Sequence, residues 1–170
     1  MRFLHTSDWH LGRSFHGESL LDAQAAFLDH LVETVRAEAV DAVLVAGDIY
    51  DRALPSIDAV TLFDDVLHRL ADLGVPTVMI PGNHDSARRL GVAAGLIGQA
   101  GVHLRTDPAA VAAPVVLHDA HGPVAVYGVP YLEPALVRER FGVERATHAA
   151  VLGAAMDAVR ADLAGRPGTR

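Results

Sequence analysis

Three short apolar runs, each closed by a polar cluster and separated by a helix-length segment, constrain this chain more than any other feature. Arg2–Ser7 has strand composition and runs into Asp8-Trp9-His10. Asp41-Ala-Val-Leu-Val-Ala46 is a nearly continuous apolar run of the kind found in buried strands, broken by Gly47-Asp48. Val75–Ile80 is the third, closed by Pro81-Gly82-Asn83-His84-Asp85, and Pro76 is tolerated because it stands at the strand's start.

The intervening segments have helical periodicity. Ser19 and Asp22 have capping-box spacing, and Leu21, Ala25, Leu28, Leu31, Val32 and Val35 then follow a 3.6-residue period, predicting a helix to about Ala39. Ser56 is placed to cap a second helix that presents Val60, Phe63, Leu67 and Leu70 on one face and ends at Gly74. Strand–helix–strand–helix–strand predicts a mainly parallel sheet built from two crossover units. Beyond Asp85 the pattern weakens. Arg88–Ala100 is expected to be helical. Val102–Leu104, Pro114–Leu117 and Pro123–Val129 are expected as short antiparallel strands, with Asp107–Ala113 a loop. Leu152, Ala155, Met156, Val159 and Leu163 mark a final helix before Gly165-Arg-Pro-Gly168.

In an open α/β sheet, sites form outside the carboxyl ends of the strands, so the three polar clusters are expected to converge. Their residue types suit hard or borderline divalent ions. The sequence contains no Cys, which excludes disulfides, zinc–thiolate sites and thiol catalysis. Asp8 and His10, two apart, point to one side of an extended backbone and can chelate one ion. Asp48 has two carboxylate oxygens and can bridge two ions. Asn83 offers a neutral amide oxygen, and His84 is placed to give a proton or hydrogen bond to substrate. Two cations ~4 Å apart would clamp a phosphate and activate a water. Oxygen and imidazole donors favour Mn²⁺ or Mg²⁺, with Zn²⁺ or Fe²⁺ also accommodated.

Taken singly, each of these residues is an ordinary strand-end turn residue; the ordered set is what carries weight. Asp-x-His, Gly-Asp-x-x-Asp and Gly-Asn-His-Asp in this order resemble the calcineurin-like metallophosphoesterase superfamily. Phe3-Leu-His-Thr-Ser-Asp-Trp-His-Leu-Gly12, Val45-Ala-Gly-Asp-Ile-Tyr-Asp-Arg52 and Pro81-Gly-Asn-His-Asp-Ser86 are similar to its bacterial SbcD-type DNA-repair exonuclease subunits. Tyr127-Gly-Val-Pro-Tyr131 resembles a later strand end of the family less specifically. The resemblance implies an α/β sandwich of the calcineurin-like type, here as its N-terminal βαβαβ half followed by short antiparallel strands and a C-terminal helix, all within one nuclease domain over residues 1–170.

It also implies roles. Asp8 and His10 would hold a first metal, Asp48 would bridge, and Asn83 would hold the second. His84 would assist the leaving group, and Asp85 would orient His84. The reaction implied is direct hydrolytic attack at phosphorus: 3′-to-5′ exonuclease action on double-stranded ends and endonuclease action on single strands. The partners implied are DNA and an SMC-like ATPase of SbcC type, with self-association into a homodimer. The family's later lone His and its Gly-His-x-His loop have no counterpart here, so the residues present are expected to furnish only part of the two-metal shell and to act as an incomplete, poorly active fragment. A phosphoesterase acting on nucleotides or small phosphate esters, and a non-catalytic module that docks on a partner, are the rival readings.

Arg13, His16 and Arg52 neighbour the clusters in sequence and are candidate phosphate or DNA contacts. Asp51 either tunes the site or closes a turn. His5 and Trp9 are expected to pack. The net charge of −7 argues against unaided DNA binding, since such surfaces are usually basic. A bound cation would supply its own positive charge locally. The N-terminus has no apolar signal core and no run is long enough to span a bilayer, which points to a cytoplasmic protein without membrane association.

Overall fold

The computed structural model describes all residues 1–170. In chain order the elements are β1 (Phe3–Thr6), β2 (Ser14–Phe15), β3 (Glu18–Ser19), α1 (Leu21–Ala37), β4 (Ala42–Ala46), α2 (Ile57–Asp72), β5 (Thr77–Ile80), α3 (Ala87–Leu90), α4 (Ala94–Ile97), β6 (Val102–Leu104), β7 (Val115–Asp119), β8 (Gly122–Val126), α5 (Pro134–Val137) and α6 (His148–Ala164). The main sheet has the order β1-β4-β5-β6 and every pairing in it is parallel.

Alternation along the strands sorts the sheet's two faces. Val43, Val45 and Met79 point toward α1 and α2, where they join Leu28, Leu31, Val35, Phe63, Val66 and Leu70 in one cluster of 19 buried residues. Ala42 and Val78 point the other way and meet Val115 and Leu117 of the antiparallel β7–β8 hairpin. A third cluster of 5 buried residues joins Val111 and Leu132 to α5 and α6. No helix is long and apolar enough to cross a membrane.

Several expectations are corrected. Val102–Leu104 pairs parallel with β5 instead of joining the antiparallel strands, because α3, α4 and a 3₁₀ turn form a third crossover that returns the chain to the same edge. That segment is not one helix: Ala93, at φ 58°, breaks it. Ser19 does not cap α1. It lies in β3, drawn into a hairpin through His16-Gly17, and the cap position is Leu20 with no side-chain bond. Ser56 does cap α2, accepting from the Ala59 amide. The buried stripe of α2 is Ala59, Phe63, Val66 and Leu70, one position away from expectation at its start, which leaves Val60 exposed. On α6 the buried residues are Val151, Ala155 and Val159, and Leu152 is half exposed. Trp9 packs as expected and its indole donates to Thr6 Oγ1 at 3.1 Å. His5 does not pack: it is exposed, because β1 is the sheet's edge.

Candidate metal centre

The ladder between β1 and β4 continues past both strands, and this extension builds the site. Asp8 N–H donates to Gly47 O at 3.1 Å, His10 N–H to Asp48 O at 2.9 Å and Leu11 N–H to Ile49 O at 2.9 Å. Along this stretch Asp8 (φ 56°), His10 (φ 45°) and Asp48 (φ 47°) all adopt the left-handed conformation. Such residues each cost on the order of 1–3 kcal/mol and persist only where the surroundings over-determine them. Asp and His are among the non-glycine types that tolerate this region best. The extended geometry expected for Asp8 and His10 is therefore absent: two left-handed residues, not strand alternation, bring their side chains to 3.9 Å.

The second approach is that of β5 to β4. A Cβ built on Gly82 would stand 2.0 Å from Asp48 Oδ1 and 2.4 Å from Asp48 N, so only glycine lets the two strand ends come this close. Through that gap His84 N–H donates to Asp48 Oδ1 at 3.1 Å.

The result is a compact donor set. His10 Nε2 lies 3.7 Å from Asp48 Oδ2 and 3.9 Å from Asp8 Oδ1. Donor atoms of His10, Asp48 and His84 lie within 4.8 Å of one another. The His10 and His84 rings meet edge to face at 4.8 Å. The side chains of His10 and Asp48 are 16% and 13% exposed, against 63% for Asp8, so the cluster has a closed base and an open rim. Asn83 stands exposed between Gly82 and His84 on the same loop.

These residues fit a divalent cation. Two donors about 2.1 Å from one ion can be at most about 4.2 Å apart, and the Asp8–His10 and His10–Asp48 spacings fall inside that limit. The carboxylates of Asp8, Asp48 and Asp51 crowd one imidazole, and the nearby guanidiniums of Arg13 and Arg52 are mostly exposed. A cation relieves that concentration of negative charge, and without sulfur donors the set suits an oxygen- and imidazole-binding metal.

The expected partner of His84 is different from the one found. Asp85 does not touch the imidazole. Its carboxylate accepts from the backbone amides of Tyr50 (2.8 Å), Gly82 (2.9 Å) and Ile49 (3.0 Å), tying the loop after β4 to the loop after β5. Three main-chain donors at a strand end are otherwise unsatisfied, which gives the carboxylate a stronger claim there than beside a ring. His84 Nδ1 instead pairs with the main-chain carbonyl of Asp51 at 2.8 Å. That bond, reinforced by the charges of Asp48 and Asp51, raises the imidazole's pKa above its ordinary value, against partial desolvation and Arg13.

Arg13 and Arg52 lie at the rim, each against Asp51 (3.8 and 3.7 Å). His16 is at the turn of the β2–β3 hairpin, exposed and edge to face with Phe15 at 4.2 Å, so it is not part of the cluster. Gln24 had no signal in the sequence, since it lies within an amphipathic helix. Its amide donates to the Trp9 and His10 carbonyls and accepts from Gly12 N–H, clamping the strained loop to α1.

Comparison with known proteins agrees with this geometry. A family model described as calcineurin-like phosphoesterase matches residues 1–147. The chain is also similar to the SbcD component of the nuclease SbcCD from Staphylococcus saprophyticus, with 37% identity over 132 residues. That alignment covers 77% of this chain and 33% of the relative, so the chain spans about a third of the relative's length.

Proposed function

Since this chain belongs to the calcineurin-like phosphoesterase family, as an SbcD-type metallophosphoesterase, we propose that it carries the metal-holding part of a DNA nuclease subunit that hydrolyses phosphodiesters in DNA repair and recombination. One observation supports this most: polar groups from three separate strand ends meet within 4.8 Å at the carboxyl edge of a parallel sheet. Asp8 and His10 would hold a first divalent ion, Asn83 a second, and Asp48 could serve both with its two carboxylate oxygens; Mn²⁺ is the ion we propose. Such ions would supply positive charge to the phosphate and a more acidic water.

The chain's own residues do the rest. A carbonyl oxygen only accepts, so the bond to Asp51 fixes a proton on His84 Nδ1. Nε2 is left free of that bond, and the Asp51 carbonyl together with the charges of Asp48 and Asp51 raises the ring's pKa. His84 can thus deliver a proton from Nε2 to the departing oxygen. Asp85 holds the two loops in place, and Arg13 and Arg52 present guanidiniums to flanking phosphates. DNA affinity beyond the centre comes from regions and partners other than this acidic surface, including an SbcC-type ATPase. Self-association into a homodimer is part of the same proposal.

The test is His84→Ala in the full-length protein, assayed with Mn²⁺ on a generic phosphodiester and on duplex DNA. Hydrolysis of both should fall about 10²- to 10⁴-fold, as for loss of a general acid, while Mn²⁺ affinity measured by calorimetry stays within a few-fold of the parent. Unchanged hydrolysis would remove His84 from the chemistry. A loss of affinity equal to that of His10→Ala would make it a ligand instead. Turnover of the generic ester without DNA cleavage would favour a small-ester phosphoesterase.

A further inference from the structure

Gln24 reaches the loop that carries Asp8 and His10 from α1, not from the sheet. It stands in the first turn of that helix, on the same face as Leu28, which is fully buried. This face brings its half-buried side chain to the loop after β1. There Nε2 donates to the Trp9 carbonyl at 3.2 Å and to the His10 carbonyl at 2.6 Å, and Oε1 accepts from Gly12 N–H at 3.0 Å. A side-chain amide has two N–H donors, and both are committed.

The two carbonyls belong to the peptide groups on either side of His10. A peptide group is planar, so the orientations of the two groups that flank a residue set its φ and ψ. On their N–H sides both groups are held by the loop after β4: His10 N–H by Asp48 O and Leu11 N–H by Ile49 O, each at 2.9 Å. On their C=O sides both are held by Gln24. The His10 carbonyl also takes Arg13 N–H at 3.0 Å, but no other protein donor reaches the Trp9 carbonyl. His10 stands at φ 45°, a conformation that relaxes unless its surroundings enforce it. From that backbone its imidazole reaches Asp8 and Asp48, at 3.9 and 3.7 Å.

We propose that Gln24 is a positioning residue of the metal centre: its amide fixes the peptide groups on both sides of His10 and so aims the imidazole between Asp8 and Asp48. The proposal rests on the metal-centre reading above. The bonds need an amide, not merely length or polarity. Methionine matches the reach but donates to neither carbonyl. Glutamate can take Gly12 N–H, yet it sets a carboxylate against two carbonyl oxygens. Glutamate also separates two accounts. An added negative charge beside a cation site would by itself strengthen cation binding, whereas lost donors weaken it.

The first measurement needs no substitution. The chain has two glutamines, and Gln99 is exposed. In metal-free protein the side-chain amide protons of Gln24 should exchange with solvent about tenfold or more slowly than those of Gln99, as two hydrogen bonds require. Gln24→Met and Gln24→Glu should each bind Mn²⁺ about 10- to 100-fold more weakly in calorimetry. The Gly12 amide should lose exchange protection in the Met variant and keep it in the Glu variant. Leu31→Ala, buried further along α1, is the control for lost stability alone and should keep the parental affinity. Parental Mn²⁺ affinity in Gln24→Met would overturn the proposal. So would a gain of affinity in Gln24→Glu, or a loss in Leu31→Ala as large as that in Gln24→Met. Rapid exchange of the Gln24 amide would overturn it without any variant having to fold. Absence of Mn²⁺ binding by the unsubstituted protein would instead sink the metal-centre reading, while the exchange comparison still decides the contact.

Discussion

The strand-end centre and the C-terminal lobe are held together in opposite ways. The centre carries three left-handed Asp and His residues, yet it rests on the single cluster of 19 buried residues and is clasped by Asp85 and Gln24. The lobe formed by β7, β8, α5 and α6 has no such core. Its own cluster holds 5 buried residues, a second of 4 is shared with Ala42 and Val78 of the main sheet, and polar staples complete it. Tyr127 donates to Asp162, which also pairs with Arg166. Asp119 accepts from the Met1 amino group and from Arg170. Strain requires a stiff surrounding to persist, and a large close-packed core supplies one. Where burial is small, stability leans on charges that respond to solvent conditions. This contrast explains why the chemistry is lodged on the parallel sheet and not on the hairpin.

A cavity in each region puts the contrast under the most severe test. Val35→Ala in the main cluster should cost more than the roughly 1–2 kcal/mol worth of two buried methyl groups, because a close-packed surrounding leaves a cavity, whereas Val151→Ala in the lobe should cost no more than that. Denaturant titrations of both variants decide it, and equal losses would mean that the lobe is as firmly packed as the sheet.

A smaller effect on stability, but a selective one on the centre, is expected from Gly82→Ala. Its Cβ meets Asp48 backbone as well as side chain, so β5 must retreat from β4 at a cost of about 1–3 kcal/mol. Mn²⁺ affinity should fall with it, while the lobe's amide-exchange protection stays unchanged. Retained affinity would show that the close approach is incidental.

The mildest effect concerns the lobe alone. The His121 amide holds the Asp119 carboxyl well below the usual carboxylate range, with the Met1 amino group and then Arg170 adding to it. A depressed pKa contributes stability that is fully present above the ordinary carboxylate value, about 3.9, and is lost as pH falls through the folded value. Acid titration should therefore loosen the hairpin's tie to the N-terminus progressively below about pH 4. Asp119→Asn should flatten that dependence and leave the main sheet's unfolding unchanged. An unaltered acid profile in the variant would place the sensitivity elsewhere.

Much of the architecture was readable because local spacing encodes it. The helices from Leu21 and Ser56 and the strands ending at Thr6, Ala46 and Ile80 follow from apolar period and breakers, within a few residues of their observed limits. The β2–β3 hairpin and the parallel pairing of β6 were not readable. A two-residue strand has no period, and direction is decided by where a crossover lands.

The donor types, their order along the chain and their placement at strand ends were all legible in the amino-acid string, because composition and periodicity are local properties. How those donors are aimed was settled by folding. Asp85 turned to backbone amides, Asp51 to two imidazoles and His10 to a left-handed φ through contacts 33 to 41 residues apart or across adjacent strands. Partners at that distance depend on the register of neighbouring strands and on the closeness that one glycine permits, and neither is written in the neighbourhood of any single residue.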